Sequence, residues 1–599
     1  MKNKIRRFIK ITFITLGAIF VFLLSLFAWL IFSGNSASVP VPNNAYLSLV
    51  VSGHVQEFHA EDSLSRIFEP QKHSLHHMLK SLEEAAADPR IKAAVLRLDD
   101  HDMGLGKIDT LRGALKKFKV SGKKVYIYAD SFGENSGATQ NYYLSAVADE
   151  IWLQNFGEVN LSGLGISVPF FKRLLDHIGV RANMYRRHEY KGAPEHLTLE
   201  KPSAEYQQEW VSLLDHMMKT IKASICIDRN IDEHLLEKAL QMGSLTDEDA
   251  LQMGFVDHIT SLGSISQMMQ EKFGEDIEGI AYLDYLDHFE DAHDTTQPHI
   301  AVLYMSGDIE RDTGEYEADR EASAILSFRM ERAIRKIANN PNVKAFVIRI
   351  DSPGGSVLGT DPIFRALKYC GQKDKKIVAS MSDVAASGGY WLASAADVIV
   401  AHPVTITGSI GTYGGKFDIE NFSKIVGINW AEFATHESAL DNSSAKPFSQ
   451  AALKRVNRSL DITYKRFTEQ VMQSRQMSAE EVDRVARGRV WTGEQALEKK
   501  LVDRLGGLDV ALAEAHQFVG SEGKMLPVIY YPRLKKMSEF LSDALWGRGA
   551  GFEPVVRSFM RSMLAYIWFD VKSMVLQELR ASGFSSSEPQ ARAAPMVIR

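Results

Sequence analysis

The feature that most constrains this chain is that it repeats itself. Tyr46-Leu-Ser-Leu-Val-Val-Ser-Gly53 is answered by Ile300-Ala-Val-Leu-Tyr-Met-Ser-Gly307, and Pro89-Arg-Ile-Lys-Ala-Ala-Val-Leu-Arg-Leu-Asp99 by Pro341-Asn-Val-Lys-Ala-Phe-Val-Ile-Arg-Ile-Asp351. Further on, Ala148-Asp149 matches Ala396-Asp397, Gly179 matches Gly427, and Thr246-Asp-Glu-Asp-Ala250 matches Thr492-Gly-Glu-Gln-Ala496. The offset falls slowly from 254 at the Gly53–Gly307 pair to 246 at the Thr246–Thr492 pair, as small loop deletions would make it. Matches that keep their order over such a span are a duplication. A chain of 599 residues is also several domains long, at roughly 100–200 residues each. The repeat places the two main domains at 46–286 and 300–525. The acidic, polar stretch 287–299 between them suits a linker, and 526–599 is a tail.

Each copy reads as α/β. Ala301–Met305, Ala345–Ile350 and Lys376–Met381 are short apolar runs bounded by turn residues, which fits buried strands. Between the first two, Ala322–Ala338 has helical spacing, with Leu326, Met330, Ala333, Ile334 and Ile337 on one side. Strands alternating with helices predict a parallel sheet with crossover helices. Sites in such sheets lie beyond the carboxyl ends of the strands, which directs attention to Asp351-Ser-Pro-Gly-Gly-Ser356 and to Ser382-Asp-Val-Ala-Ala-Ser-Gly-Gly-Tyr-Trp391.

The two copies differ at these loops in opposite ways. Where the second has Ser387-Gly-Gly-Tyr-Trp391, the first has Thr139-Gln-Asn-Tyr-Tyr143, and Ser-Pro-Gly-Gly is replaced by Asp100-His-Asp-Met103. The first has His188-Glu-Tyr-Lys191-Gly-Ala193 where the second has His436-Glu-Ser-Ala439-Leu-Asp441. Each copy lacks what the other holds, as expected of one composite site spanning both.

A serine hydroxyl is a weak nucleophile and needs a base. No histidine flanks Ser387, and no Gly-x-Ser-x-Gly elbow surrounds it. A neutral lysine serves the same logic, so Ser387 is the candidate nucleophile and Lys191 the candidate base. Free lysine titrates near about 10.4, so the base must be desolvated, and burial lowers a lysine by up to roughly 3–5 units. A cleft between two domains offers such a place. The developing oxyanion needs backbone donors: Gly354 or Gly355 from the glycine loop, and Gly388 directly after the serine. Ser387 also opens a helix through Tyr390, Trp391 and Leu392, whose N-terminus favours negative charge. Taken singly, Ser-Gly-Gly and Pro-Gly-Gly are ordinary turns and Lys191 an ordinary solvated charge. The combination carries the reading.

Lys2, Lys4, Arg6, Arg7 and Lys10 precede an uncharged run from Ile11 to Phe32. That length matches a bilayer core, which takes about 20 apolar residues, and exceeds the apolar region of a cleaved signal peptide, about 7–15 residues. A retained anchor at 11–32 is therefore expected, in preference to cleavage near Ser36-Ala37-Ser38. Residues 1–10 would be cytoplasmic and the domains across the membrane. The net charge of −6 gives no basic footprint for nucleic acid. Cys226 and Cys370 are the only cysteines, too few for a disulfide scaffold or a four-cysteine zinc site, and read as buried free thiols. His73, His76 and His77 share a helical face but lack a matched further ligand, so they read as a solvated face and no metal is expected.

With these residues assembled, the chain resembles the long Gram-negative type of the signal peptide peptidase A, or protease IV, family. The resemblance runs from the anchor through both repeats and is most specific at Ala386-Ser-Gly-Gly-Tyr-Trp391, Asp351-Ser-Pro-Gly-Gly-Ser356, Thr407-Gly-Ser-Ile-Gly411 and Glu189-Tyr-Lys-Gly-Ala193. It implies tandem Clp-protease/crotonase-like domains after a single N-terminal transmembrane helix, Ser387 as nucleophile, Lys191 as base, and a supporting hydroxyl at Ser409. It further implies a homotetramer at the bacterial inner membrane, with its domains on the periplasmic side, degrading remnant signal peptides without a cofactor. Two other readings are a different acyl-processing enzyme of crotonase-like fold and a non-catalytic membrane scaffold. In the tail, Val555–Arg580 mixes Phe559, Met563, Ile567, Trp568 and Met574 with a few charges, a pattern suited to core or oligomer packing more than to lipid.

Overall fold

The computed structural model describes residues 39–58, 74–133, 139–289, 294–312, 324–520 and 525–531. The expected anchor at 11–32 and the segment 555–580 lie outside them. Among the described residues no helix is long and apolar enough to cross a membrane.

Two sheets organise the chain. The first sets six parallel strands in the order His258–Thr260, Glu150–Gln154, Lys124–Ala129, Ile91–His101, Ala45–Gly53, Glu278–Ala281. The second contains the same series: Arg504–Leu505, Val398–Ala401, Lys376–Ala386, Val343–Ser352, His299–Ser306, Val528–Tyr531. Its last strand pairs with Ile300–Leu303, so the second sheet runs past the boundary read at 525; the run Val528–Tyr531 completes an edge as Glu278–Ala281 does in the first. Continuous runs such as Phe346, Val347, Ile348 are buried on both faces of the sheet, as parallel strands covered by helices are. Each half also sends out a 26-residue helix, Ala204–Arg229 and Gln450–Arg475. Both start at a capping serine, Ser203 or Ser449, and end at a left-handed residue, Asn230 or Gln476.

Two local expectations change. The helix expected over Ala322–Ala338 occupies Ser327–Asn339, because Ala324–Leu326 is drawn into pairing with Asp308–Glu310. His76 is buried rather than on a solvated face: its ring packs 4.2 Å from that of Tyr530 and 5.2 Å from that of Phe58. His77 is half-buried beside the capping Ser74, and His73 lies outside the described residues. Cys370 is buried and Cys226 half-buried, both as free thiols.

The halves are joined in two ways. Arg181–Arg186 of the first pairs antiparallel with Tyr413–Asp418 of the second, making a ribbon that crosses between them. The second joint is a buried group of charges. The Arg349 guanidinium meets the Glu57 carboxylate through two nitrogens, each at 3.0 Å, with side chains 1% and 3% exposed. Lys107 Nζ lies 2.9 Å from Asp351 and 3.2 Å from Asp383. Asp383 also accepts the backbone N–H groups of Gly104 and Lys107, at 3.2 and 2.8 Å. A carboxylate of the second half thus caps the helix Leu105–Val120 of the first, which lacks a capping side chain of its own. Burial alone would raise the Glu57 pKa, but Arg349 outweighs it and holds the carboxyl below its ordinary value. Asp351 is pushed up to about 6 by burial and by Asp383 and Glu57, against the pull of Lys107.

These charges sit at the roots of both glycine-containing loops, so the packing between halves and the shape of the loops are one problem. Replacing Arg349 by Met leaves Glu57 buried without its partner, which costs about 3–5 kcal/mol. Thermal unfolding of Arg349→Met should show a correspondingly large drop in Tm. The double variant Glu57→Leu, Arg349→Met should recover part of it. An unchanged Tm in the single variant would show that the pair contributes nothing to the joint.

Candidate active site

Ser387 owes its position to an overlong strand. Lys376–Ala386 pairs through Val378–Met381 with Val398–Ala401, and then through Val384–Ala386 with Ile406–Gly408. It therefore runs on past Val398–Ala401 and delivers Ser387 next to Gly408, whose carbonyl accepts the Ser387 N–H at 2.9 Å. Ser387 adopts φ 53° and ψ −117°, a region that side chains avoid, at a cost of roughly 1–3 kcal/mol. The chain then turns straight into the helix Gly388–Ala393. Glycines are needed here by space: a Cβ on Gly389 would meet the Ser352 carbonyl oxygen at 2.6 Å, and one on Gly388 would meet Thr360 Oγ1 at 2.9 Å. Tyr390 and Trp391 anchor the short helix, the first by donating to the Leu501 carbonyl at 2.9 Å, the second by stacking on Phe467.

The glycine loop is pressed against this turn. Gly354 has φ 104°, and a Cβ there would lie 2.7 Å from Gly388 N and 2.9 Å from Ser387 Cβ. Gly354 is buried and donates its N–H to Ser352 Oγ at 3.2 Å, while its carbonyl accepts from Ile309 N at 2.8 Å. Gly355, at φ 146°, is exposed.

Lys191 arrives from the other half. The ribbon strand Arg181–Arg186 carries the chain onto the second half, and Arg187 N extends the pairing to the Thr412 carbonyl at 2.9 Å. His188 turns the chain at φ 67°. Glu189 is gripped by Arg487 through two nitrogens at 2.8 and 3.0 Å, and Arg186 donates to the Lys191 carbonyl at 3.1 Å. Two glycines make room: Gly488, where a Cβ would fall 2.5 Å from Lys191 N, and Gly411, where one would fall 3.2 Å from Lys191 Cδ.

Across 196 positions of sequence, Lys191 Nζ lies 3.0 Å from Ser387 Oγ. It also lies 2.8 Å from Ser409 Oγ and 3.0 Å from the Ser409 carbonyl oxygen. The lysine is 4% exposed. Burial lowers its pKa to about 7, and the more distant Glu209 opposes that only in part. A neutral amine has two N–H groups and one lone pair. The two acceptors on Ser409 can take the N–H groups, which turns the lone pair to the Ser387 hydroxyl. The arrangement can therefore move a proton from Ser387 to Lys191 near neutral pH. Ser409 itself is held at φ 51° with its N–H donated to the Arg489 carbonyl at 2.7 Å.

The residues singled out from sequence thus come together: Ser387, Lys191 and Ser409 meet at one point, Gly354 and Gly388 pack at the Ser387 turn, and Gly355 follows in the glycine loop against Ile309. Their counterparts in the other copy do not. Thr139 is buried, with its hydroxyl accepting from Gly163 N at 2.9 Å, and Ala439 sits exposed in a short 3-10 turn. Sequence reasoning missed Ser352, Gly488 and Glu209. Ser352 lies inside the glycine motif and was open to notice; Gly488 and Glu209 carry no local signal.

The model of Peptidase family S49 matches the chain twice, at residues 117–274 and 370–522. Protease 4 of Haemophilus influenzae is 31% identical over 511 residues, covering 81% of each chain. Protease 4 of Salmonella typhi is 31% identical over 494 residues, covering 80% of this chain and 77% of that one. The chloroplastic serine protease SPPA of Arabidopsis thaliana is 29% identical over 493 residues, covering 81% and 71%. This chain belongs to peptidase family S49 and is a serine peptidase.

Proposed function

We propose that the chain is an endopeptidase working through a Ser387–Lys191 dyad, with each half a Clp-protease/crotonase-like unit and the site shared between them. The observation that carries this reading is the buried Lys191 amine 3.0 Å from Ser387 Oγ, with its pKa brought down to about 7 by burial. In the first step Ser387 Oγ attacks the scissile carbonyl carbon while its proton passes to Lys191 Nζ. Backbone N–H groups of Gly388 and of the glycine loop receive the oxyanion. Because Gly354 directs its N–H to Ser352, the exposed Gly355 is the better loop donor. The tetrahedral intermediate collapses as Lys191 returns the proton to the leaving amine. A water then gives a proton to Lys191 and attacks the acyl carbon; as the bond to Ser387 Oγ breaks, Lys191 returns that proton to the serine and the acid product leaves. Ser409 keeps the amine aimed throughout.

The same reading extends to setting. The run 11–32 anchors the chain, which puts the domains on the periplasmic side of a bacterial inner membrane, and the substrates are peptides such as cleaved signal peptides. Leu174, Ile178, Ile425, Trp430 and Phe433 are exposed on segments flanking the ribbon between the halves. Apolar side chains exposed together suit self-association, here a homotetramer.

In a peptide-hydrolysis assay, Ser387→Ala and Lys191→Ala should each lower kcat by roughly a thousandfold or more, and the double variant should be little worse than either, because the pair acts as a unit. Lys201→Ala and Lys446→Ala, at an exposed lysine and at one paired with Glu432, should stay close to wild type. A purified, folded Lys191→Ala enzyme with full activity would remove Lys191 from the mechanism. Since protonated Lys191 cannot accept a proton, kcat/KM should fall about tenfold per pH unit below the Lys191 pKa of about 7 and level off above it. A profile flat from pH 5 to 8 would contradict a lysine base.

A further inference from the structure

We infer that Glu209 is a positioning residue of the active site, holding the turn that cradles Lys191. The inference rests on the dyad reading above and deepens it. Glu209 lies in the long helix Ala204–Arg229 of the first half and is 5% exposed. Its carboxyl reaches across to the second half and accepts the Val490 N–H at 2.9 Å. That contact falls on a short stretch that touches the site at every step. Gly488 lies against the Lys191 backbone. The Arg489 carbonyl accepts the N–H of Ser409, the residue that takes the lysine's hydrogen bonds. Val490 opens the strand Val490–Thr492, which pairs with Ile406–Gly408, just ahead of Ser409. One hydrogen bond from Glu209 therefore bears on the lysine from two sides.

The electrostatic side follows from what surrounds the carboxyl. Burial raises the Glu209 pKa to about 8, against the Val490 N–H and the positive charges of Arg489 and Lys191; Glu195 pushes it further up. Arg489 is drawn away toward aromatic faces, its guanidinium 4.2 Å from the Trp491 ring centre and 5.0 Å from that of Tyr190. Glu195 is occupied by Arg186 and by Ser203. Tyr206, one turn back on the same helix, has its own pKa raised by burial. Near neutrality Glu209 is therefore largely protonated, and a protonated carboxyl keeps the hydrogen bond to Val490 without stabilising a Lys191 ammonium. As it ionises it favours the ammonium, which delays loss of the lysine proton.

The test is the pH profile of kcat/KM in the full chain for wild type, Glu209→Gln and Glu209→Ala, with folding checked by thermal unfolding. Glu209→Ala removes the acceptor and should lower kcat about tenfold or more with less effect on KM. Glu209→Gln keeps an acceptor oxygen and is neutral, as Glu209 itself is near neutrality; it should recover most of that kcat and leave the acidic limb near its wild-type position. A limb moved by about half a pH unit or more in Glu209→Gln, or a Glu209→Gln kcat as low as that of Glu209→Ala, would overturn the role of Glu209 while leaving the dyad standing. So would Glu209→Ala with unchanged kcat. Absence of the limb in wild type would overturn the dyad and this inference with it.

Discussion

A lysine amine kept from water is the constraint on which the rest of this structure depends. Exposed, Lys191 would be protonated and useless as a base. Lowering it from its ordinary value to about 7 corresponds to roughly 5 kcal/mol of lost solvation for the charged form. That loss has to be supported by packing around the side chain, and both halves supply it. The first half brings the lysine in after a strand that pairs with the second half and not with its own sheet. The second half lays down the floor with Ser409, Gly411 and Gly488, and the nucleophile beside it. The Ser409 hydroxyl and carbonyl do the further work of satisfying the amine without charge. Among its named hydrogen-bond partners there is no carboxylate, and Glu209, whose charge acts on it, is itself pushed toward its neutral form.

The division of labour explains why the two copies diverged in opposite directions. A strand end that holds Ser387 at an unfavourable φ is a strain worth keeping only where a base faces it. In the first copy the corresponding residue is Thr139, which folds into an ordinary helix start, and the glycine loop is replaced by acidic and histidine residues. Composite sites place a heavy demand on the joint between halves. The ribbon of Arg181–Arg186 with Tyr413–Asp418 and the buried charges of Glu57, Lys107, Arg349, Asp351 and Asp383 answer that demand. Asp383 lies four residues before Ser387 and Asp351 opens the glycine loop, so the joint and the turn at Ser387 are fixed by the same strands.

Much of this was legible beforehand, for identifiable reasons. The repeat, the parallel α/β class and the pairing of Ser387 with Lys191 all leave marks in the order of residues: apolar runs between turn residues, and complementary losses between copies. Ser409 came from family resemblance alone. The joint was not legible, because nothing local distinguishes Arg349 in an apolar strand, or Glu57 just before an undescribed segment, from other charged residues. Their meaning lies in burial and in partners some 292 positions away. Glu209 was hidden for the same reason, as one of many charges on a long helix. His76 misled because its spacing with His73 and His77 says nothing about Tyr530, which covers it from the far end of the chain.

The central claim is that Ser387 is made nucleophilic by a neutral Lys191, and the most direct measurement is the rate at which Ser387 reacts with a small fluorophosphonate as pH is varied. That reaction needs no peptide binding and reports only the activation of the hydroxyl. The second-order rate constant should rise about tenfold per pH unit to a plateau that begins near the Lys191 pKa of about 7, and Lys191→Ala should abolish the rise. A rate that keeps climbing toward the pKa of an ordinary exposed lysine, about 10.4, or one that Lys191→Ala leaves unchanged, would contradict the account.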